Sequence, residues 1–94
     1  MLYNQKLLQK KHKKIQQAIK QLGDYQVPKF FYKFLVDHVL FSMLITDNDL
    51  NRYDETSLFF SCGNHNYVLY LDYNENLKIL PERVYLMLKY KQEI

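Results

Sequence analysis

Residues 58–73, LFFSCGNHNYVLYLDY, decide the fold. Leu58, Phe60 and Cys62 alternate with Phe59 and Ser61, and Tyr67, Leu69, Leu71 and Tyr73 alternate with Val68, Tyr70 and Asp72. A period of two is the mark of a strand, whose successive side chains leave opposite faces of a sheet. Between the two runs, Gly63-Asn64-His65-Asn66 has the length and residue types of a hairpin loop. Downstream, Asn74-Glu75-Asn76 can turn the chain into a short strand over 77–80.

The period changes on either side of this hairpin. Over residues 2–22 a helical wheel at 100° per residue places Leu8, Ile15, Ile19 and Leu22 within about 60° of one another, so that face packs inward. Lys6, Lys10, Lys13 and Lys20 fall within about 80° on the far side, a lysine stripe with Gln17 inside it. Gly23 is placed to be the left-handed residue that closes this helix. After a connector over 24–28, Pro28 suits the first turn of a second helix, where its missing N–H has no intrahelical partner to lose. That helix is expected to run to about Leu44, with Lys29, Lys33 and Asp37 as its single polar stripe. It must be covered on most sides, by the first helix, by the sheet, and by a second copy in a homodimer through residues 30–44.

Residues 46–56, TDNDLNRYDET, predict a polar loop with one short helical turn at 50–53, begun by Asp47 or Asp49. In the last segment Pro81-Glu82 starts a helix, while Val84, Leu86, Leu88 and Tyr90 alternate as a strand would. The Leu, Met, Lys, Gln and Glu content favours helix, because those side chains lose little freedom there. The expected fold is α+β: two N-terminal helices packed on a small antiparallel β-meander of two or three strands, with a C-terminal helix, in a single domain over 1–94.

Composition agrees. With 94 residues the chain is too short for two cores, and 48% hydrophobic content with only 2 Gly and 2 Pro excludes the disordered and collagen-like classes. One cysteine excludes an internal disulfide framework and points to a reducing, cytoplasmic setting. Residues 1–23 spread six lysines among their leucines, unlike a secretory signal. The most apolar run, 30–45, is interrupted by Lys33, Asp37 and His38, so no membrane association is expected. Abundant Lys, Asn, Tyr, Ile and Leu with little Gly or Ala is the usage of low-GC genomes and mobile elements.

Charge is the one uneven quantity. Residues 1–33 carry eight Lys against one Asp, a net +7; residues 34–75 carry one Arg against seven acids, −6; residues 76–94 carry four basic and two acidic groups, +2. Such segregation bears on partners and not on fold. A row of lysines can lie along the phosphates of a nucleic acid, giving salt-dependent binding without base recognition. It can also be a solvated face, or meet an acidic protein surface. The acidic group Asp47, Asp49, Asp54 and Glu55 can in turn meet a basic protein, with exposed tyrosines in support, as in a protein inhibitor or adaptor of phage or mobile-element type.

Chemistry has few candidates. Asp47, Asp49 and Asn51 start like a calcium loop, but the glycine position holds Arg52 and the bidentate carboxylate position holds Leu58. Cys62 and His65 would be close across a hairpin turn, as a thiol–imidazole pair or half a zinc site, against a buried strand cysteine beside an exposed histidine. His12 and His38 lack ligand spacing to complete four ligands, and His12 is read as a packed or edge histidine. Two glycines, at 23 and 63, allow no phosphate loop. No catalytic residue, metal or cofactor is expected, and the function expected is that of a small regulatory or accessory binding protein that uses its lysine stripe.

The order of two helices, a strand hairpin, a third short strand and a C-terminal element is similar to the ribosome-dependent ribonuclease toxins of the RelE/ParE superfamily, mainly over 2–22 and 67–84. The resemblance implies activity from basic and aromatic side chains on the sheet and tail, which here would be Arg83, Lys89 and Tyr90. The chain departs from the family in beginning with a helix where a strand is usual, and in its more apolar second helix.

Overall fold

Strands β2 (Ser57–Cys62) and β3 (His65–Leu71) pair antiparallel, with Leu58 opposite Leu69, Phe60 opposite Tyr67 and Cys62 opposite His65. The structure is a computed structural model that describes residues 5–23 and 26–92. Residues 1–4, 24–25 and 93–94 and the side chains of Phe30 and Phe34 lie outside the described set, and with them the first residues of the predicted opening helix and part of the 30–44 seam. The hairpin turn is tighter than the sequence predicts, because His65 and Asn66 belong to β3 and only Gly63-Asn64 remains. Gly63 has φ +61°, the positive value needed at the first central position of a two-residue turn whose twist matches its strands.

Strand β4 (Leu77–Pro81) pairs with β3, and β1 (Leu50–Tyr53) with β2, so the sheet is a four-stranded meander in the order β1-β2-β3-β4. Four strands replace the expected two or three. The predicted helical turn at 50–53 is corrected to this edge strand, and the turn itself lies one step earlier, as a 3-10 turn at Asp47–Asp49. There the Thr46 N–H and hydroxyl donate to Asp49 Oδ2 at 2.9 and 3.1 Å, which caps the turn and frees Leu50 onward to extend. Between Leu50 and Arg52 the register slips by one residue against β2, a β-bulge.

Alternation in the strands makes two apolar faces. Leu58, Phe60, Cys62, Tyr67, Leu69, Leu71, Leu77 and Ile79 share one face with helices α1 (Gln5–Leu22) and α2 (Tyr32–Ser42), while Phe59, Val68 and Tyr70 on the other are covered by Tyr85 of α3 (Glu82–Tyr90). The predicted C-terminal helix is therefore present, and it makes a third layer. Leu58, Leu69 and Leu77 are almost fully buried, each contributing about 2–3 kcal/mol by leaving water. Tyr85 meets Phe59 edge-on at 5.7 Å and Tyr70 at 4.8 Å between ring centroids. On the first face the fully buried Tyr32 donates its hydroxyl to the Leu69 carbonyl at 2.9 Å, so its polar tip is satisfied.

Helix ends depart from the sequence in two places. Gly23 follows α1 without a positive φ. Helix α2 is preceded by a 3-10 turn at Lys29–Phe31 and stops at Ser42, two residues before the predicted end. Leu44, at φ +63°, takes the left-handed position: its N–H bonds the Phe41 carbonyl at 3.0 Å and the Ile45 N–H bonds the Leu40 carbonyl at 2.9 Å. That is the Schellman pattern with a leucine where glycine is usual, at a cost of about 1 kcal/mol. No helix among the described residues is long and apolar enough to cross a membrane.

Candidate nucleic-acid interface

Helix α1 is held to the sheet by Ile15, fully buried, with Leu8, Ile19 and Leu22 half-buried on either side. This docking fixes which lysines face water. Lys6, Lys10, Lys13 and Lys20 are all exposed, as is Lys14, which the wheel leaves at the stripe's margin. Lys10, Lys13, Lys14 and Lys20 form no ion pair among the described residues. At a rise of 1.5 Å per residue, Lys6 and Lys20 are about 21 Å apart along the axis. Gln9, Gln16, Gln17 and Gln21 are exposed among them, so among the described residues the face carries donors and cations, with Leu7, 41% exposed, at its margin beside Lys14.

The sixth lysine behaves differently. Lys11 sits beside the inward face, is 5% exposed, and places Nζ 3.1 Å from Asp49 Oδ2. Asp49 is thereby drawn into the protein. Burial alone would raise its pKa, but the Thr46 N–H, the Lys11 ammonium and the Thr46 hydroxyl overcome this and hold the carboxyl below its usual range. The predicted acidic group is thus divided: Asp49 is engaged internally, Asp47 is exposed at one end of β1, and Asp54 and Glu55 are exposed past the other. Strand β1, four residues long, keeps these two ends about 10 Å apart. The calcium-like start is dispersed too, because Asn51 Nδ2 donates to Ser61 Oγ at 2.7 Å while Asp49 turns to Lys11.

A thiol–imidazole cluster forms where α1 crosses the hairpin. Cys62 Sγ lies 3.8 Å from Nδ1 and 4.0 Å from Nε2 of His12, and the His12 ring stands edge-on to His65 at 5.1 Å. The sequence pairs Cys62 with His65; the third member, His12, comes from a residue 50 positions away and is legible only once α1 is docked. Its two ring nitrogens are nearly equidistant from sulfur, both at the long end of a weak thiol–imidazole hydrogen bond. Among the described residues no three such side chains are arranged to hold a metal ion. Burial pushes the Cys62 thiol up, with Lys11 and Asp49 acting in opposite directions on it, which leaves it protonated and a weak nucleophile near neutrality.

The tyrosines divide by layer. Tyr67 and Tyr70 are buried on opposite faces of the sheet, as alternation requires, but Tyr73 lies in the turn after β3 and is 80% exposed. Tyr53 and Tyr90 are exposed as well. Of the residues that the toxin resemblance singles out, Arg83 and Tyr90 are exposed on α3, and Lys89 Nζ donates to Tyr85 Oη at 3.3 Å; all three belong to the layer opposite α1. No protein-family model matches the chain, and no curated protein or solved structure is significantly similar to it.

Proposed function

We propose that this protein is a small non-catalytic regulatory or accessory module that lays helix α1 along the phosphates of a nucleic acid, through Lys6, Lys10, Lys13 and Lys20. The observation that carries this is a contrast within one helix. Lys11 is buried and paired, while Lys10, Lys13, Lys14 and Lys20 stand in water with no carboxylate of the described chain to answer them. Lysine supplies charge without base readout, so binding is independent of sequence.

The test is retention of the 94-residue chain on duplex DNA as salt is raised. Four phosphate contacts predict a log–log slope of about −3.6. The triple substitution K10E/K13E/K20E should abolish retention while leaving circular dichroism unchanged. A slope near zero, or retention indifferent to that substitution, overturns the proposal. No retention on DNA, together with binding to an acidic protein that K10E/K13E/K20E abolishes, would favour an adaptor or inhibitor acting through α1 instead.

A further inference from the structure

Helix α2 and the edge strand β1 do not close on each other, and a groove of about 650 Å³ lies between them. Its floor is apolar, made by Val36, Leu40 and Leu58. Phe41, 82% exposed, stands on the helix wall and Tyr53, 48% exposed, on the strand wall. A phenyl ring so exposed beside an apolar trough is surface that a partner would remove from water. Asp37 and Tyr53 line the same groove, and burial, with the Asp37 charge adding to it, pushes the Tyr53 phenol up.

The rim decides the partner's sign. Among the described lining residues Asp37 and Asp47 stand against one cation, Lys33; Asp54 and Glu55 follow Tyr53 in the chain, and Arg52, which precedes it, lies over the Phe59 ring on the other face of the sheet. No ion pair among the described residues engages Asp37, Asp47, Asp54 or Glu55. We infer that this groove docks a basic segment of a partner protein, one that inserts a single large apolar side chain between α2 and β1 and sets lysines or arginines against Asp37 and Asp47.

Two other occupants fit less well. A second copy pressing the same face across a two-fold axis would set these acids against their equivalents, and among the described residues its lysine stripe, with Leu7 at the margin, presents no phenyl or phenol ring to fill the trough. An added strand would need a long free edge, whereas β1 has four residues and a bulge between Leu50 and Arg52. Filling the trough with a side chain needs neither.

The test uses the isotopically labelled full chain and two synthetic peptides, Lys-Lys-Leu-Phe-Lys-Lys and the same peptide with Glu for every Lys. The basic peptide should shift the amide resonances of Leu40, Phe41, Leu50 and Tyr53, and the acidic one should not. D37K/D47K and, separately, F41A should each weaken binding about tenfold; all three side chains are exposed, so the fold should survive. K10E/K13E/K20E should leave it unchanged, which separates this groove from the α1 interface. Equal response to both peptides, shifts confined to other residues, or indifference to D37K/D47K overturns the inference. So does a dimer at micromolar concentration in which Phe41 and Tyr53 are protected.

Discussion

The ammonium of Lys11 and the carboxylate of Asp49, 38 residues apart in the chain, meet at 3.1 Å beneath α1 and tie that helix to the turn that starts the sheet. Breaking such a pair from one side leaves the other charge poorly solvated. Asp49→Ala, which also removes the Thr46 cap, should cost about 2–4 kcal/mol in urea unfolding, and Lys11→Met less, because methionine fills the same space without a charge. A double-mutant cycle should show coupling of about 1 kcal/mol or more; additivity would mean the pair is incidental.

The same carboxylate sets an acid limit. Its pKa is lower in the folded chain than the ordinary 3.8, so the unfolded state holds the proton more readily. Its contribution is complete above about pH 5 and disappears as pH falls through the native value. Urea midpoints between pH 5 and 2.5 should fall for the parent chain and fall less steeply for Asp49→Asn.

At the alkaline end the sign reverses. Burial, then the Asp72 charge and Tyr85, pushes Tyr70 up to about 12, and burial of Tyr32 raises that phenol further. Groups whose native pKa is raised stabilise the fold below their ordinary value of 10.0 and lose that contribution as pH climbs past it. Part of the tyrosinate absorbance near 295 nm should therefore appear in one step with loss of the circular dichroism signal. Smooth titration of all nine tyrosines before unfolding would contradict this.

Gly63 is constrained twice. A Cβ there would meet Leu8 Cδ1 at 3.0 Å and Cδ2 at 3.2 Å, and φ is +61°. Gly63→Ala should cost about 1–2 kcal/mol, lowering Tm by about 4–16 °C in a chain of this size. In a Leu8→Ala background the cost should shrink to the backbone part, because the clash is gone. At Leu44 the comparison runs the other way: Leu44→Gly should be more stable than Leu44→Ala by about 1 kcal/mol, since only glycine accepts φ +63° without strain.

Much of the fold was legible because period-two runs flank Gly63-Asn64 and a clean apolar arc repeats along α1. Strand β1 was not: the bulge places Asn51 and Arg52 opposite one residue of β2, so Leu50, Asn51, Arg52 and Tyr53 show no alternation to read. The stop of α2 was hidden for a similar reason, a leucine in the glycine position. Exposure of Lys6, Lys10, Lys13 and Lys20 followed from helical geometry alone. The burial of Lys11 and the approach of His12 to Cys62 depend on which way α1 lies across the sheet, information that local spacing does not hold.

Helix α3 comes after every strand in chain order, and its Tyr85 is the cover over Phe59, Val68 and Tyr70. During synthesis the meander must therefore wait with a bare aromatic slab until residues beyond Glu82 have been added. The same slab returns whenever this nine-residue helix lets go, so the rate at which α3 lifts, more than the strength of the α1 layer, should govern how readily the protein sticks to itself when heated.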